Sequence, residues 1–350
     1  KGVSVTVFVR EGHGYEECEA EVVEVPFIEV GQDLLNMYTS YPGYYRALKE
    51  KMDELDLVHG HGPEAMAYTF GRKLGNFDKP FIYTLHGIGS EHVSRDWLKP
   101  AAKILFRPEK YNLNEADRII TVSEFTRSEA VDYYGLNEEE LTIVNNGVDL
   151  DRFRPGHKSP LPSILFVGAW AGRKRGDFLF ALFRDQVLPV VPDATLVMVC
   201  DHVSDACAAH PSVEFHARPS DEQLAQLYRE AWVFAFPSTY EGFGLPYVEA
   251  MASGTAVLTS PNDGAHHVLD GGTYGVIAED NDFGTALVDL LQSAPQRKAL
   301  AAKGLDRAQT FAWPAVTETH EAVYRAAQRN DGPPLSSSPS TDASHEAARV

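Results

Sequence analysis

Apolar positions along this chain gather in short continuous runs, separated by longer stretches in which they recur at helical spacing. Continuous runs bounded by Gly, Pro, Asn or Asp are how strands buried on both faces read, and their alternation with helical stretches predicts a parallel α/β design. In the first half, residues 3–9, 22–28, 57–60, 81–86, 118–122 and 141–144 are predicted strands, with helices over 44–55, 65–74 and 124–134. The second half repeats the style with strands over 163–167, 195–200, 213–216, 232–236 and 256–259 and helices over 178–190 and 221–231. Residues 149–162 hold three prolines and a glycine, so the linker falls there and divides the chain into domains 1–155 and 156–329. Residues 295–329 are helical in pattern, whereas 330–350 turn to Pro, Ser, Asp and Ala without apolar periodicity and read as a disordered tail.

Length and composition agree with two domains. A chain of 350 residues with 44% hydrophobic content can fill two cores. No apolar run approaches the roughly 18 to 20 residues of a spanning helix, and the opening KGVSVTVFVRE lacks the regions of a secretion signal. The three cysteines, Cys18, Cys200 and Cys207, have no spacing that suggests zinc or a disulfide framework, which makes a reducing cytoplasm the default. A formal net charge of −19 argues against a nucleic-acid partner, whose phosphates would be repelled. It also weakens broad attraction to anionic lipid, though a local basic patch leaves peripheral membrane contact open. A salt-adapted source and an ordinary acidic cytosolic protein both account for that charge.

The densest chemistry lies in residues 237–260, PSTYEGFGLPYVEAMASGTAVLTS. A buried strand runs into a turn in which Gly242 and Gly244 are free to take angles other residues resist, and Pro246 suits the first turn of the helix that follows. Strand, glycine turn and helix N-terminus together favour an anion. Glu241 precedes the turn and Glu249 follows it, placed to meet a transferred group and to accept from paired hydroxyls. Taken alone, either glutamate is equally a solvated loop charge or a helix residue favoured by the macrodipole. The run ILFVGAWAGRKRGDF, 164–178, is a second strand and glycine loop; its cations Arg173, Lys174 and Arg175 suit two phosphates or, more blandly, a solvated turn. His86 ends a predicted strand in YTLHG, at the sheet edge where open α/β folds bind ligands. His59 and His61 in VHGHG lack a third ligand of matching spacing, so a metal is not expected; His61 reads as lining the cleft. His266 and His267 read as loop residues. Ser220 with Gln223 fits a capping box, and Ser123 with Thr126 a helix cap.

The string EGFGLPYVEA followed by MASGTAVLTS resembles the donor-site signature of GT-B glycosyltransferases of the large retaining family 4, and ADRIITVSEFTRSE and NNGVDLDRFRP are similar to its first-domain edge and linker. The resemblance spans nearly the whole chain up to Trp313. It implies two Rossmann-like domains facing each other across a cleft, the second binding a nucleotide diphosphate sugar and the first a glycan or lipid-linked acceptor, with the last helix, 313–328, packing back on the first domain. It implies that Glu249 holds the ribose, that Glu241 and the backbone of Gly242, Phe243, Gly244 and Leu245 hold phosphate and sugar, and that Arg173 and Lys174 stabilise the leaving diphosphate. His86 would abut the reacting sugar and the backbone near Arg218 the base. No cofactor and no metal are implied.

Two departures bear on activity. Ala169 stands where the family carries an arginine, with Arg173 as its substitute. The strand and glycine loop that family members place before a strand like KGVSVTVFV do not precede it here: either the sequence is a fragment or carries a misassigned start, or the first sheet lacks a central strand and its phosphate loop. Alternatives to a retaining transferase are a GT-B nucleotide-sugar epimerase and a non-catalytic nucleotide-sugar-binding subunit.

Overall fold

The computed structural model describes residues 3–11, 20–26, 28–29, 33–88 and 107–329. Cys18 and the tail 330–350 lie outside the described residues. The first half runs β1 (Thr6–Arg10), β2 (Glu21–Val25), α1 (Asp33–Lys51), β3 (Val58–His61), α2 (Met66–Lys73), β4 (Phe81–Leu85), α3 (Arg107–Glu115), β5 (Arg118–Thr121), α4 (Glu124–Tyr134) and β6 (Leu141–Ile143). The second runs β7 (Ser163–Val167), α5 (Gly176–Leu182), β8 (Thr195–Val199), α6 (Asp205–Ala208), β9 (Val213–His216), α7 (Asp221–Glu230), β10 (Val233–Phe236), α8 (Leu245–Ala252) and β11 (Ala256–Thr259). It continues with α9 (Asp263–Val268), β12 (Val276–Ile277), α10 (Asp280–Gln292), α11 (Ala294–Gln309) and α12 (Trp313–Arg329).

Every strand pair is parallel, as apolar runs covered by helices on both faces require. The second-half sheet has the order β12-β11-β10-β7-β8-β9. Chain order reverses between β7 and β10, so the loops leaving those two strands meet at a topological switch point, where such sheets open a crevice for ligands. The core beneath is aromatic, with Phe166, Phe183, Phe234, Phe236, Tyr247 and Phe283 fully buried. In the first half β3-β4-β5-β6 form one sheet and β1-β2 another, and the two sheets share no ladder among the described residues.

Two helices depart from their predicted limits. The helix predicted over 44–55 belongs to α1, which starts at Asp33 and runs through Pro42 and Gly43. Pro42 is exposed, and Gly43 sits so close to β2 that a Cβ would lie 2.5 Å from the Pro26 carbonyl oxygen, so packing outweighs propensity. The helix predicted over 178–190 begins at Gly176 and ends in a π-helical turn, Phe183–Val187.

The last helix returns to the first half. Val316, Val323 and Ala327 of α12 pack against Ile82, Ile120 and Val144. At the crossing, Val148 bridges Ala312, and the Trp313 ring lies over Gly147. A Cβ on Gly147 would meet that ring at 2.4 Å. Gly147→Ala should therefore cost about 1 to 3 kcal/mol through overpacking, read as a lower urea midpoint, and most of that loss should vanish in a Trp313→Ala background.

Candidate active site

The site is built from the two loops of the switch point. Strand β10 is buried throughout and delivers residues 237–244; Gly244 takes φ 95°, a left-handed angle that suits glycine, and caps α8. Strand β7 delivers a second loop with a 3₁₀ turn at Gly172–Lys174. The carboxylate of Glu241, with its side chain 8% exposed, ties the loops together. Its Oε1 accepts from Ser238 Oγ at 2.6 Å, Lys174 Nζ at 2.6 Å and Arg173 Nη1 at 2.9 Å. Arg173 Nη1 also donates to the Tyr240 carbonyl at 2.8 Å, and the Thr239 amide donates to the Arg173 carbonyl at 2.9 Å. Burial pushes the Lys174 ammonium below the usual lysine range, and Glu241 opposes that shift.

The two cations predicted for a leaving diphosphate thus meet a protein carboxylate first. Arg173, read as the substitute for the family arginine, does reach the same point as Lys174. Arg175 does not join them: it pairs with both oxygens of Asp280, at 2.9 and 2.7 Å, and stacks over Phe178. The amides of Gly242, Phe243 and Gly244 donate to no group among the described residues and stand open at the start of α8. Such a set of N–H groups beside two cations can hold an anion and stabilise negative charge as it grows.

Glu249 lies one helical turn further along. Burial raises its pKa, it has no cationic partner among the described residues, and it adjoins the fully buried Tyr228 phenol. A desolvated carboxylate without a cation suits neutral donors such as hydroxyl groups. Arg218 is exposed beyond β9, without a hydrogen bond or ion pair to a described residue, and the structure does not bring its side chain to the Glu241 cluster.

From the first half, His86 follows β4 and comes up against the glycine turn: a Cβ on Gly242 would lie 2.5 Å from the His86 carbonyl oxygen. His86 Nε2 and His61 Nδ1 share a hydrogen bond of 3.0 Å. His59 is engaged at both nitrogens, by Tyr324 Oη of α12 at 2.8 Å and Thr84 Oγ1 at 2.7 Å. His320 of α12 completes the row of imidazoles, its ring centroid 5.9 Å from that of His59. Among the described residues no three His, Cys, Asp or Glu side chains are grouped to hold a metal ion. Sequence reading missed His320 and Tyr324 because α12 lies far along the chain. It also placed His266 and His267 in a loop. They lie on α9, which Asn262 caps by accepting from the Ala265 amide at 2.9 Å, and His267 Nε2 meets Asn145 Nδ2 at 3.0 Å.

Solved structures share this architecture. Sucrose-phosphate synthase from Thermosynechococcus elongatus superposes with a TM-score of 0.78 at 20% identity, over 94% of this chain and 90% of the other. WaaG, a glycosyltransferase involved in lipopolysaccharide biosynthesis, does so at 0.71 and 18%, over 95% and 92%. The fold is GT-B. Residues 1–152 match the model of Glycosyltransferase Family 4, and residues 161–293 that of Glycosyl transferases group 1. A D-inositol 3-phosphate glycosyltransferase 2 of Catenulispora acidiphila is 30% identical over 81% of this chain and 71% of its own length. The D-inositol 3-phosphate glycosyltransferase of Kineococcus radiotolerans is 28% identical over 78% and 72%. The chain belongs to glycosyltransferase family 4 and is an enzyme of sugar transfer; the epimerase alternative is set aside.

His267 sets an acid limit. Burial, followed by the neighbouring Arg307 charge, holds it at about 4. That lies below the unfolded value of about 6.5, so between those limits the unfolded chain binds more protons. Its contribution to stability is whole above about pH 6.5 and is lost as pH falls toward 4. The melting temperature should drop over that window, and His267→Gln should flatten the slope by roughly one proton near pH 5.

Proposed function

We propose that the enzyme transfers a sugar from a nucleotide diphosphate sugar to an acceptor hydroxyl with retention at the anomeric carbon, and needs no cofactor or metal. The observation that carries this reading is the junction of Glu241, Arg173 and Lys174 beside the open amides of Gly242 to Gly244 and next to His86. In it the bond from the anomeric carbon to the diphosphate breaks while a bond to the acceptor oxygen forms on the same face. The acceptor proton passes to the leaving diphosphate oxygen. Arg173, Lys174 and the turn amides take up the charge that grows there, the part a metal plays in other transferases. Glu241, whose other oxygen stays available, and the His86 imidazole face the sugar, while Glu249 accepts from the ribose hydroxyls.

The acceptor is an alcohol presented from the first domain, on a glycan or a lipid-linked sugar. The curated relatives, named for D-inositol 3-phosphate, add a phosphorylated cyclitol to the panel worth screening. No helix among the described residues is long and apolar enough to cross a membrane.

Lys174→Ala should lower kcat by about 100-fold to 1,000-fold while changing the donor KM little, because the lysine serves charge that exists mainly in the transition state. A pure KM effect would reduce the loop to ground-state binding. Glu249→Ala should weaken nucleotide diphosphate binding by about 1.5 to 3 kcal/mol, measured by calorimetry. Turnover should survive excess chelator, and loss restored by one divalent ion would overturn the metal-free reading.

A further inference from the structure

The residues on either side of Glu241 are held by the opposite domain. Tyr240 donates its hydroxyl to Glu129 Oε2 at 2.8 Å and packs edge-on against Phe125, with centroids 5.8 Å apart. The Gly242 carbonyl accepts from Ser123 Oγ at 2.5 Å and from Thr126 Oγ1 at 3.3 Å. Both hydroxyl residues are fully buried. Ser123 is also the cap of α4, where its Oγ accepts from the Thr126 amide at 3.1 Å. One hydroxyl can do both, because it has two lone pairs for the amide and one proton for the carbonyl.

The direction of that carbonyl matters. In a trans peptide the carbonyl of one residue and the N–H of the next point opposite ways, so fixing Gly242 C=O toward α4 fixes the Phe243 N–H away from it. The Phe243 amide is one of the open donors of the turn. Accepting hydrogen bonds at the carbonyl also polarises the peptide and makes that N–H a stronger donor.

We infer that Ser123 and Thr126 are positioning residues that aim the Gly242–Phe243 peptide at the donor diphosphate, so the donor site is complete only when the two domains are docked. The inference rests on the donor-site reading above. It also assigns Gly242 a second duty. Its φ is not left-handed, so alanine would fit the backbone, but the added Cβ would strike the His86 carbonyl and hold the domains apart.

The test separates the cap from the clamp. Ser123→Asp keeps an acceptor for the Thr126 amide but has no proton for Gly242, whereas Ser123→Thr keeps both. Donor KM is measured with the nucleotide sugar that wild type turns over, and affinity by calorimetry with UDP, GDP and ADP. Ser123→Asp should weaken donor binding about tenfold or more with α4 intact by circular dichroism, and Ser123→Thr should restore it. Thr126→Val, nearly isosteric, should cost about threefold and covers the case in which the Asp variant does not fold. Wild-type affinity in Ser123→Asp and Thr126→Val would overturn the inference. If Glu249→Ala still weakens binding in that event, the donor site stands and only the clamp fails; if Glu249→Ala is also silent, the donor-site reading itself falls.

Discussion

A carboxylate out of water keeps its charge only where donors surround it, and the β7 and β10 loops are arranged around meeting that constraint at Glu241. Removing such a charge from solvent is costly enough that it persists only where donors converge on it. Here the donors come from two loops that are distant in sequence, so satisfying Glu241 also fastens the β7 loop to the β10 loop. The same bonds hold Arg173 and Lys174 extended toward one point, where their like charges would otherwise push them apart. Under the proposed function, a diphosphate would join a set of charges already positioned, which would leave little reorganisation to the chemical step.

Much of this was legible in the chain because the chemistry is contiguous. Strands β7 and β11 begin and end at their predicted limits, since a parallel strand covered on both faces reads as a short apolar run. The turn EGFG announces itself by glycine, carboxylate and proline within a few residues. Strand β12 is too short to form a run, and α1 hides its true start behind a Pro-Gly pair that local rules read as a stop.

The contacts that join the halves were not legible, for a physical reason. Ser123 carries a complete local explanation as a helix cap, so nothing in its surroundings asks for a partner 119 residues away. His59 likewise needs nothing from the pattern around it, yet finds Tyr324 across 265 residues. Capping signatures account for a hydroxyl's acceptor side and say nothing about its proton. A second, remote duty on such a residue leaves no trace in periodicity, charge or spacing.

The polypeptide passes between the halves twice, and both passages lie side by side. The Val148 amide donates to the Phe311 carbonyl at 2.8 Å and the Trp313 amide to the Val148 carbonyl at 3.4 Å, which stitches the outgoing segment to the returning one. The join is a single parallel bridge, so the outgoing and returning segments meet at one point, at Val148, and not along a ladder. A cut within the linker would still leave the halves held to each other through the returning segment and its helix.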